Sequence, residues 1–313
     1  VSRHVVFGTG QVGSQVVTRL VELGHDVIAV NRSGRGHFPG ATVIGGDVTN
    51  SAFAKDVTRD ADTVYFCLNA PSYHRWPEEF PPLQDAVLGA AVASGSRLVV
   101  LENLYCYGPT GGAPMTESTP SRPENAKGAT REAMTQQLLD AHARGDVEVV
   151  IGRAADLVGP GVTASSMGEL VFGPALAGKK AKTMGRPDTP HSYSYAPDVG
   201  RNLVLLGSRD DAYGRVWHLP NPETLTTREV ITKAFEAAGS KPRITTLNRP
   251  MIRAIGLVSR DVRELLATYY QFDAPFVVDT SAFTAAFGGD VTGWDEIVEQ
   301  TLSFYRTNES RTP

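Results

Sequence analysis

The chain has 313 residues, 41% hydrophobic and 20% charged, with a formal net charge of −4. That composition suits a globular protein with a large core and excludes a disordered chain. The slight acidity offers no basic field for nucleic acid or an anionic membrane, and no apolar run approaches the length of a membrane span. The two cysteines, Cys67 and Cys106, lack metal-ligand spacing and suit reduced thiols, and the seven histidines form no ligand motif, so no metal is expected. An apolar strand begins within five residues of the start, so no signal peptide is expected and the reading is cytoplasmic.

That first strand, His4–Phe7, enters a glycine turn, Gly8-x-Gly10-x-x-Gly13, and a helix continues through Leu23. A second strand, Asp26–Val30, follows Gly24. The pattern is a βαβ unit with a dinucleotide fingerprint in its first turn. Gly8 permits the tight turn, Gly10 lets backbone approach a pyrophosphate, and Gly13 lets the helix pack close to the strand. Gln11 and Val12 complete the turn, and the free N–H groups at the helix start face the phosphates.

The second strand ends at Val30-Asn31-Arg32-Ser33. NAD-preferring sites carry an acid there, bonded to the ribose 2′-OH. Here the position holds Asn31, followed by Arg32 and, further on, Arg35. A guanidinium matches a phosphate in charge and fork geometry, so the loop predicts a 2′-phosphate clamp and NADP as cofactor.

Further strands are predicted at Ala41–Gly45, Thr63–Leu68, Arg97–Glu102 and Val147–Arg153, with helices at Leu83–Ala93 and Arg131–Arg144. Continuous apolar strands separated by helices predict an α/β Rossmann fold, a doubly wound parallel sheet that binds ligands beyond the carboxyl ends of its strands. From about Gly159 the texture changes. A helix at Ser166–Leu176, a strand at Ser192–Tyr195, a helix at Pro197–Leu206 and a strand at Val216–Leu219 are predicted. A capping box at Thr226–Glu229 and a helix at Trp294–Tyr305 follow. The organisation expected is a dinucleotide domain over 1–158, with 191–220 returning to it, and a smaller substrate lobe from 159–190 and 221–313. The last eight residues are polar and expected to fray.

After the fourth strand, Pro71–Trp76 with Phe80 reads as an aromatic loop lining an apolar substrate pocket, with Met167, Phe172, Met184, Tyr193 and Tyr195 facing it from the lobe. The competing reading of each is ordinary core packing. His74 in that loop has the titration range of an acid or base, or is a hydrogen-bonded surface residue.

These residues resemble the short-chain dehydrogenase/reductase superfamily in its extended or atypical branch, the NAD-dependent epimerase/dehydratase-like proteins. The turn Gly8–Gly13 matches the family's cofactor turn, in a form one residue shorter between its first two glycines. Gly46-Asp47-Val48 resembles the segment whose Asp contacts adenine, and Leu68-Asn69-Ala70 falls where the end of strand four touches the cofactor. Tyr107-Gly108-Pro109, Gly159-Pro160-Gly161 and His191–Asp198 match later landmarks. At the family's catalytic Ser or Thr position stands Asn103. Its Tyr-x-x-x-Lys is best matched by Lys127-Gly-Ala-Thr-Arg131, with Lys in place of Tyr and Arg in place of Lys. The resemblance to atypical enone reductases, which put a lysine after strand five and a tyrosine on the facing helix, implies a swap here. Tyr105 would be the proton donor and Lys127 its cation, with Asn103 as a further donor. The family lysine's ribose-binding role would pass to Arg131 or Lys127.

The function expected first is an NADP-dependent oxidoreductase, transferring hydride to a carbonyl, enone or imine of a small apolar molecule, as a monomer or homodimer. A non-catalytic NADP-binding sensor or scaffold is the alternative, and a nucleotide-sugar epimerase or dehydratase is a further one.

Overall fold

β-Branched runs build the sheet because stiff, branched side chains pack well on a pleated surface buried on both faces. The computed structural model describes residues 1–289 and 291–309. Six strands, β1 (Arg3–Phe7), β2 (Asp26–Asn31), β3 (Ala41–Gly45), β4 (Thr63–Phe66), β5 (Arg97–Glu102) and β6 (Val149–Arg153), are joined by Val216–His218. Across the sheet the order is Val216–His218, β6, β5, β4, β1, β2, β3. Every pairing is parallel. The order reverses between β1 and β4, the switch point beyond which such sheets hold ligands. Phe7 lies opposite Val30 on one side and Phe66 on the other, so Gly8 and Cys67 leave the sheet level with Asn31, the last residue of β2.

Four helices matter to the site: α1 (Gly13–Glu22), α2 (Ser51–Thr58), α3 (Trp76–Ser94) and α4 (Ala126–Ala143). Val5, Phe7, Phe66 and Val100 from the sheet pack with Phe80 and Val87 of α3 and Leu138 of α4 in one cluster. Each such side chain contributes about 1.5–3 kcal/mol by leaving water.

Helix α3 starts at Trp76, well before the predicted Leu83. Pro77 sits in its first turn, where a missing N–H costs nothing, while Pro81 and Pro82 lie inside it. Burial of Trp76, Phe80, Leu83 and Val87 on one face offsets the lost bonds. Trp76 and Phe80 are 5% and 1% exposed, so they belong to the core and not to the predicted substrate-lining loop. Helix α4 starts at Ala126 and not Arg131, because the Asn125 side chain caps the Gly128 N–H at 3.0 Å. β4 ends at Phe66, short of Leu68, and β6 begins at Val149, two residues after Val147.

The chain divides into two compact units, one of Val1–Gly108, Ser121–Ala154 and Val199–Leu219, the other of Pro109–Pro120, Ala155–Asp198 and Pro220–Pro313. In the second unit Asp156–Val158 pairs with Tyr193–Tyr195 and Ala181–Met184 with Ile244–Leu247, both parallel, and Pro190–His191 pairs antiparallel with Leu225–Thr226. The Thr226–Glu229 capping box forms in both directions. Of the predicted helix Ser166–Leu176 only Phe172–Leu176 is helical. A Cβ on Gly168 would stand 2.3 Å from the Thr163 carbonyl oxygen, so the chain before Phe172 is wound in turns. Met167, Phe172, Tyr193 and Tyr195 are at most 1% exposed and fill this unit's own core, contrary to their predicted place around a pocket. Met184 is half-buried at the end of its strand. The last helix, Trp294–Glu309, runs past Tyr305, so the predicted frayed tail is helical as far as Glu309; residues 310–313 lie outside the described residues. Among the described residues no helix is long and apolar enough to cross a membrane.

Candidate cofactor and proton-transfer site

The turn after β1 has three glycines with three different surroundings. Gly8 has φ +94°, and a Cβ on it would lie 2.6 Å from the Cys67 carbonyl oxygen. A Cβ on Gly13 would lie 1.7 Å from the Gly8 carbonyl oxygen. Both are therefore glycine for the fold's own sake. Gly10 is different: it is exposed, and a Cβ there meets no atom within 4 Å. Glycine at this position is therefore no requirement of the fold, and the space beside it is open.

Helix α1 strengthens that reading. No side chain caps its start, at Val12, and its first turn holds no acid. The Ser14 and Gln15 N–H groups turn back to the Gly10 and Val12 carbonyls, at 3.1 and 2.9 Å, so the helix start offers an anion chiefly the positive end of its dipole. Gln11 is half-buried and Val12 buried. Residues and space together fit a pyrophosphate.

At the end of β2 Asn31 holds the loop together. Its Nδ2 donates to Thr9 Oγ1 at 3.0 Å and to the Arg35 carbonyl at 2.8 Å, and its Oδ1 accepts from the Ser33 hydroxyl at 3.1 Å. Arg32 is exposed. The Thr49 hydroxyl and N–H both bond Asp47 Oδ1, at 2.8 and 3.0 Å, and with a smaller contribution from Arg32 they hold the Asp47 carboxyl below its usual range. Val48 and Ala70 are buried, Leu68 is half-buried and Asn69 is exposed. The predicted cofactor residues from Gly8 to Ala70 thus cluster after β1, β2, β3 and β4, at the carboxyl edge.

Past β5 the chain makes a short 3-10 turn, Tyr105–Tyr107. Asn103 Oδ1 accepts the Tyr105 N–H at 2.9 Å and so sets that turn. Gly128 lets α4 approach it, since a Cβ there would stand 2.5 Å from the Tyr105 carbonyl oxygen. Three aromatic and cationic groups then meet. The Tyr105 and Tyr73 hydroxyls are 3.3 Å apart, and the Lys127 ammonium lies 4.4 Å from the Tyr73 ring centroid. Tyr105 stacks on Trp76, ring centroids 5.7 Å apart. Lys127 is only 4% exposed.

Beneath them lies a buried ionic group that residue spacing does not announce. Arg131 Nε donates to Glu102 Oε2 at 2.7 Å, with side-chain exposures of 5% and 1%. Arg153, at the end of β6, is also buried and lies over the Tyr107 ring. Burial pushes the Glu102 carboxyl up, against the opposing pull of Arg131 and Arg153. Tyr107 in turn hydrogen-bonds His218 at 2.7 Å. The signal available in the sequence was a charge ending an otherwise apolar strand, at both Glu102 and Arg153. Arg131, predicted for the cofactor ribose, faces Glu102 and the ring of Phe80, 4.1 Å from its centroid.

Residues 5–219 match the NAD dependent epimerase/dehydratase family. The chain belongs to that family. A curated UDP-glucose 4-epimerase of Streptomyces lividans is 29% identical over 166 residues, 46% of this chain. The match spans 50% of that relative's length. Among solved structures, a dTDP-glucose 4,6-dehydratase from Bacillus anthracis in complex with NAD has a TM-score of 0.81 at 15% identity, covering 99% of this chain and 98% of the other. A UDP-glucuronic acid 4-epimerase from Bacillus cereus, with UDP-glucuronic acid and NAD, has a TM-score of 0.80 at 15% identity, covering 98% and 99%. Bordetella bronchiseptica WbmH in complex with NAD+ has a TM-score of 0.76 at 20% identity, covering 97% and 98%. These likenesses show the same fold over 97–99% of the chain.

Proposed function

We propose that the protein is a nicotinamide-dinucleotide-dependent enzyme acting on a nucleotide sugar, with Tyr105 as its proton-transfer group. The observation that carries the cofactor part is Gly10, a glycine whose missing side chain nothing in the protein requires. The substrate part is supported by the relatives, which act on or bind UDP- and dTDP-sugars. The apolar substrate expected from the sequence has lost its support, because Trp76, Phe80, Met167, Phe172, Tyr193 and Tyr195 are core residues.

Gly8, Gly10 and Gly13 would hold the pyrophosphate, Asp47 and Val48 the adenine side, and Leu68-Asn69-Ala70 the following stretch. The bound dinucleotide supplies a hydride acceptor and donor. Oxidising a sugar carbinol also releases a hydroxyl proton, and in this reading the Tyr105 phenolate takes it and becomes the phenol. Lys127 sets positive charge beside the Tyr73–Tyr105 pair, which favours the phenolate that accepts the proton. Asn103 keeps the Tyr105 backbone in place. The relatives' NAD and this chain's Asn31 and Arg32 pull in different directions; the missing carboxylate and the exposed guanidinium favour NADP.

The test has two steps. Calorimetry with NADH and NADPH in parallel is expected to give binding of both and preference for NADPH. Incubation with UDP- and dTDP-hexoses, read by NMR of the products, is expected to give an epimer or a 4-keto-6-deoxy sugar. Tight dinucleotide binding with every sugar unchanged would replace the enzyme with a cofactor-binding sensor.

A further inference from the structure

Arg131 and Glu102 lie at the ends of a circuit of contacts that runs through Tyr105. Glu102 Oε2 accepts from Arg131 Nε at 2.7 Å and also from the Asn103 N–H at 3.3 Å. Asn103 Oδ1 accepts the Tyr105 N–H at 2.9 Å. The Tyr105 ring stacks on Trp76, 20° from parallel. The circuit closes on Arg131, whose guanidinium carbon is 5.8 Å from the Trp76 centroid and 4.1 Å from that of Phe80. It also donates to the Leu101 carbonyl at 3.4 Å. One side chain therefore grips both supports of Tyr105: the backbone before it and the ring beneath it.

We propose that Arg131 and Glu102 are positioning residues that orient Tyr105, and that Arg131 is no ligand of the cofactor ribose. The inference rests on the reading of Tyr105 as the proton-transfer group. Its physical basis is the identity of the cation. A planar guanidinium can bond a carboxylate through one nitrogen and a carbonyl through another while lying over aromatic rings; an ammonium is a compact, strongly hydrated point charge without that flat fork to hold both acceptors in one geometry. The pair has little freedom to slide. Both side chains are at least 95% buried, and Arg153 sets a second positive charge near Glu102. Glu102 Oε1, Arg131 Nη1 and Arg153 Nε have no hydrogen-bond partner among the described residues. Removing the carboxylate charge would leave two buried guanidinium groups without their counter-ion.

The experiment compares Arg131→Lys, Glu102→Gln and Asn103→Ala with wild type. It uses turnover, dinucleotide affinity, melting temperature and the ring resonances of Tyr105 in tyrosine-labelled protein, assigned with Tyr105→Phe. All three variants are expected to shift the Tyr105 resonances. Arg131→Lys is expected to lower kcat on the order of 100-fold, the cost of a misplaced group, with dinucleotide Kd unchanged. Asn103→Ala breaks the circuit without touching the ion pair, so it keeps the test open if Glu102→Gln fails to fold. A weakened dinucleotide Kd with intact Tyr105 resonances would overturn the proposal and return Arg131 to the cofactor. A lowered melting temperature with kcat and resonances intact would overturn it too, leaving a purely structural pair. A Tyr105→Phe enzyme with wild-type turnover would instead sink the reading of Tyr105 itself, while the resonances would still report whether Arg131 and Glu102 hold its ring.

Discussion

Under the proposed function the backbone carries the chemistry after β1 and side chains carry it after β5. The glycine turn offers N–H groups, a helix dipole and empty space, none of which depends on a functional side chain. The end of β5 offers Tyr105, Tyr73 and Lys127 on a platform of Trp76, Arg131 and Glu102, all of which do. A backbone site tolerates little substitution because sterics fix it. A side-chain site can exchange its groups while the strand and helix beneath stay where they are. That difference explains how a chain can keep a family's cofactor turn and carry Lys127 and Arg131 on the helix where the resemblance implied Tyr and Lys.

The sharpest way to break the contrast is Gly13→Val. With a Cβ 1.7 Å from the Gly8 carbonyl oxygen, the turn must open. Dinucleotide binding is expected to vanish and stability to fall by about 3 kcal/mol, read by calorimetry and thermal melting; a folded, binding variant would show that the turn is not the cradle. Next comes Tyr105→Phe, which keeps the ring on Trp76 and removes only the hydroxyl. It is expected to cut turnover by about 10²–10⁴-fold with an unchanged melting temperature. A smaller effect is expected at Arg32, where Arg32→Ala should weaken NADPH roughly tenfold and leave NADH alone; equal losses for both would remove the 2′-phosphate clamp.

The smallest effect sharpens the comparison from outside, on a side chain of β1 that neither region uses. His4 is 7% exposed between the His25 and Tyr65 rings, and neither ring nitrogen has a hydrogen-bond partner among the described residues. Burial, and then His25, push it from the usual 6.5 down to about 4. Above the ordinary value it is neutral whether folded or unfolded. As pH falls from 6.5 toward 4 only the unfolded chain takes the proton, so stability is lost across that window. His4→Phe is expected to flatten this acid limb, by about 1 kcal/mol near pH 5, in pH-dependent urea melts; an unaltered limb would assign it to other groups.

The same contrast governs what could be read from the sequence. β1 to β6 were legible because apolar β-branched runs and glycine spacing are local signals. Helix α3 was misread at its start because Pro77, Pro81 and Pro82 look like breakers, and the burial of Trp76 and Phe80 that overrides them is tertiary. That one error turned two core aromatics into a supposed substrate loop. The first turn of α4 hid behind Asn125, a cap that only the finished helix identifies. At the site, Gly8 to Gly13, Asn103, Tyr105 and Lys127 were visible as motif or as departures from one. The meeting of Glu102 with Arg131, 29 residues apart, depends on how β5 and α4 pack, and that of Tyr73 with Tyr105, 32 apart, on how the turns after β4 and β5 meet; neither leaves a trace in spacing.

If the turn after β1 cradles a dinucleotide, a single methyl group at Gly10 should show it. A methyl group there meets no protein atom within 4 Å, so Gly10→Ala has no reason to disturb the fold. Calorimetric titration of NADPH into wild type and Gly10→Ala is predicted to give binding to the first, affinity weakened about tenfold or more in the second, and one melting temperature for both. Equal affinity in the two proteins, or no binding to wild type, would mean that this turn does not hold the dinucleotide.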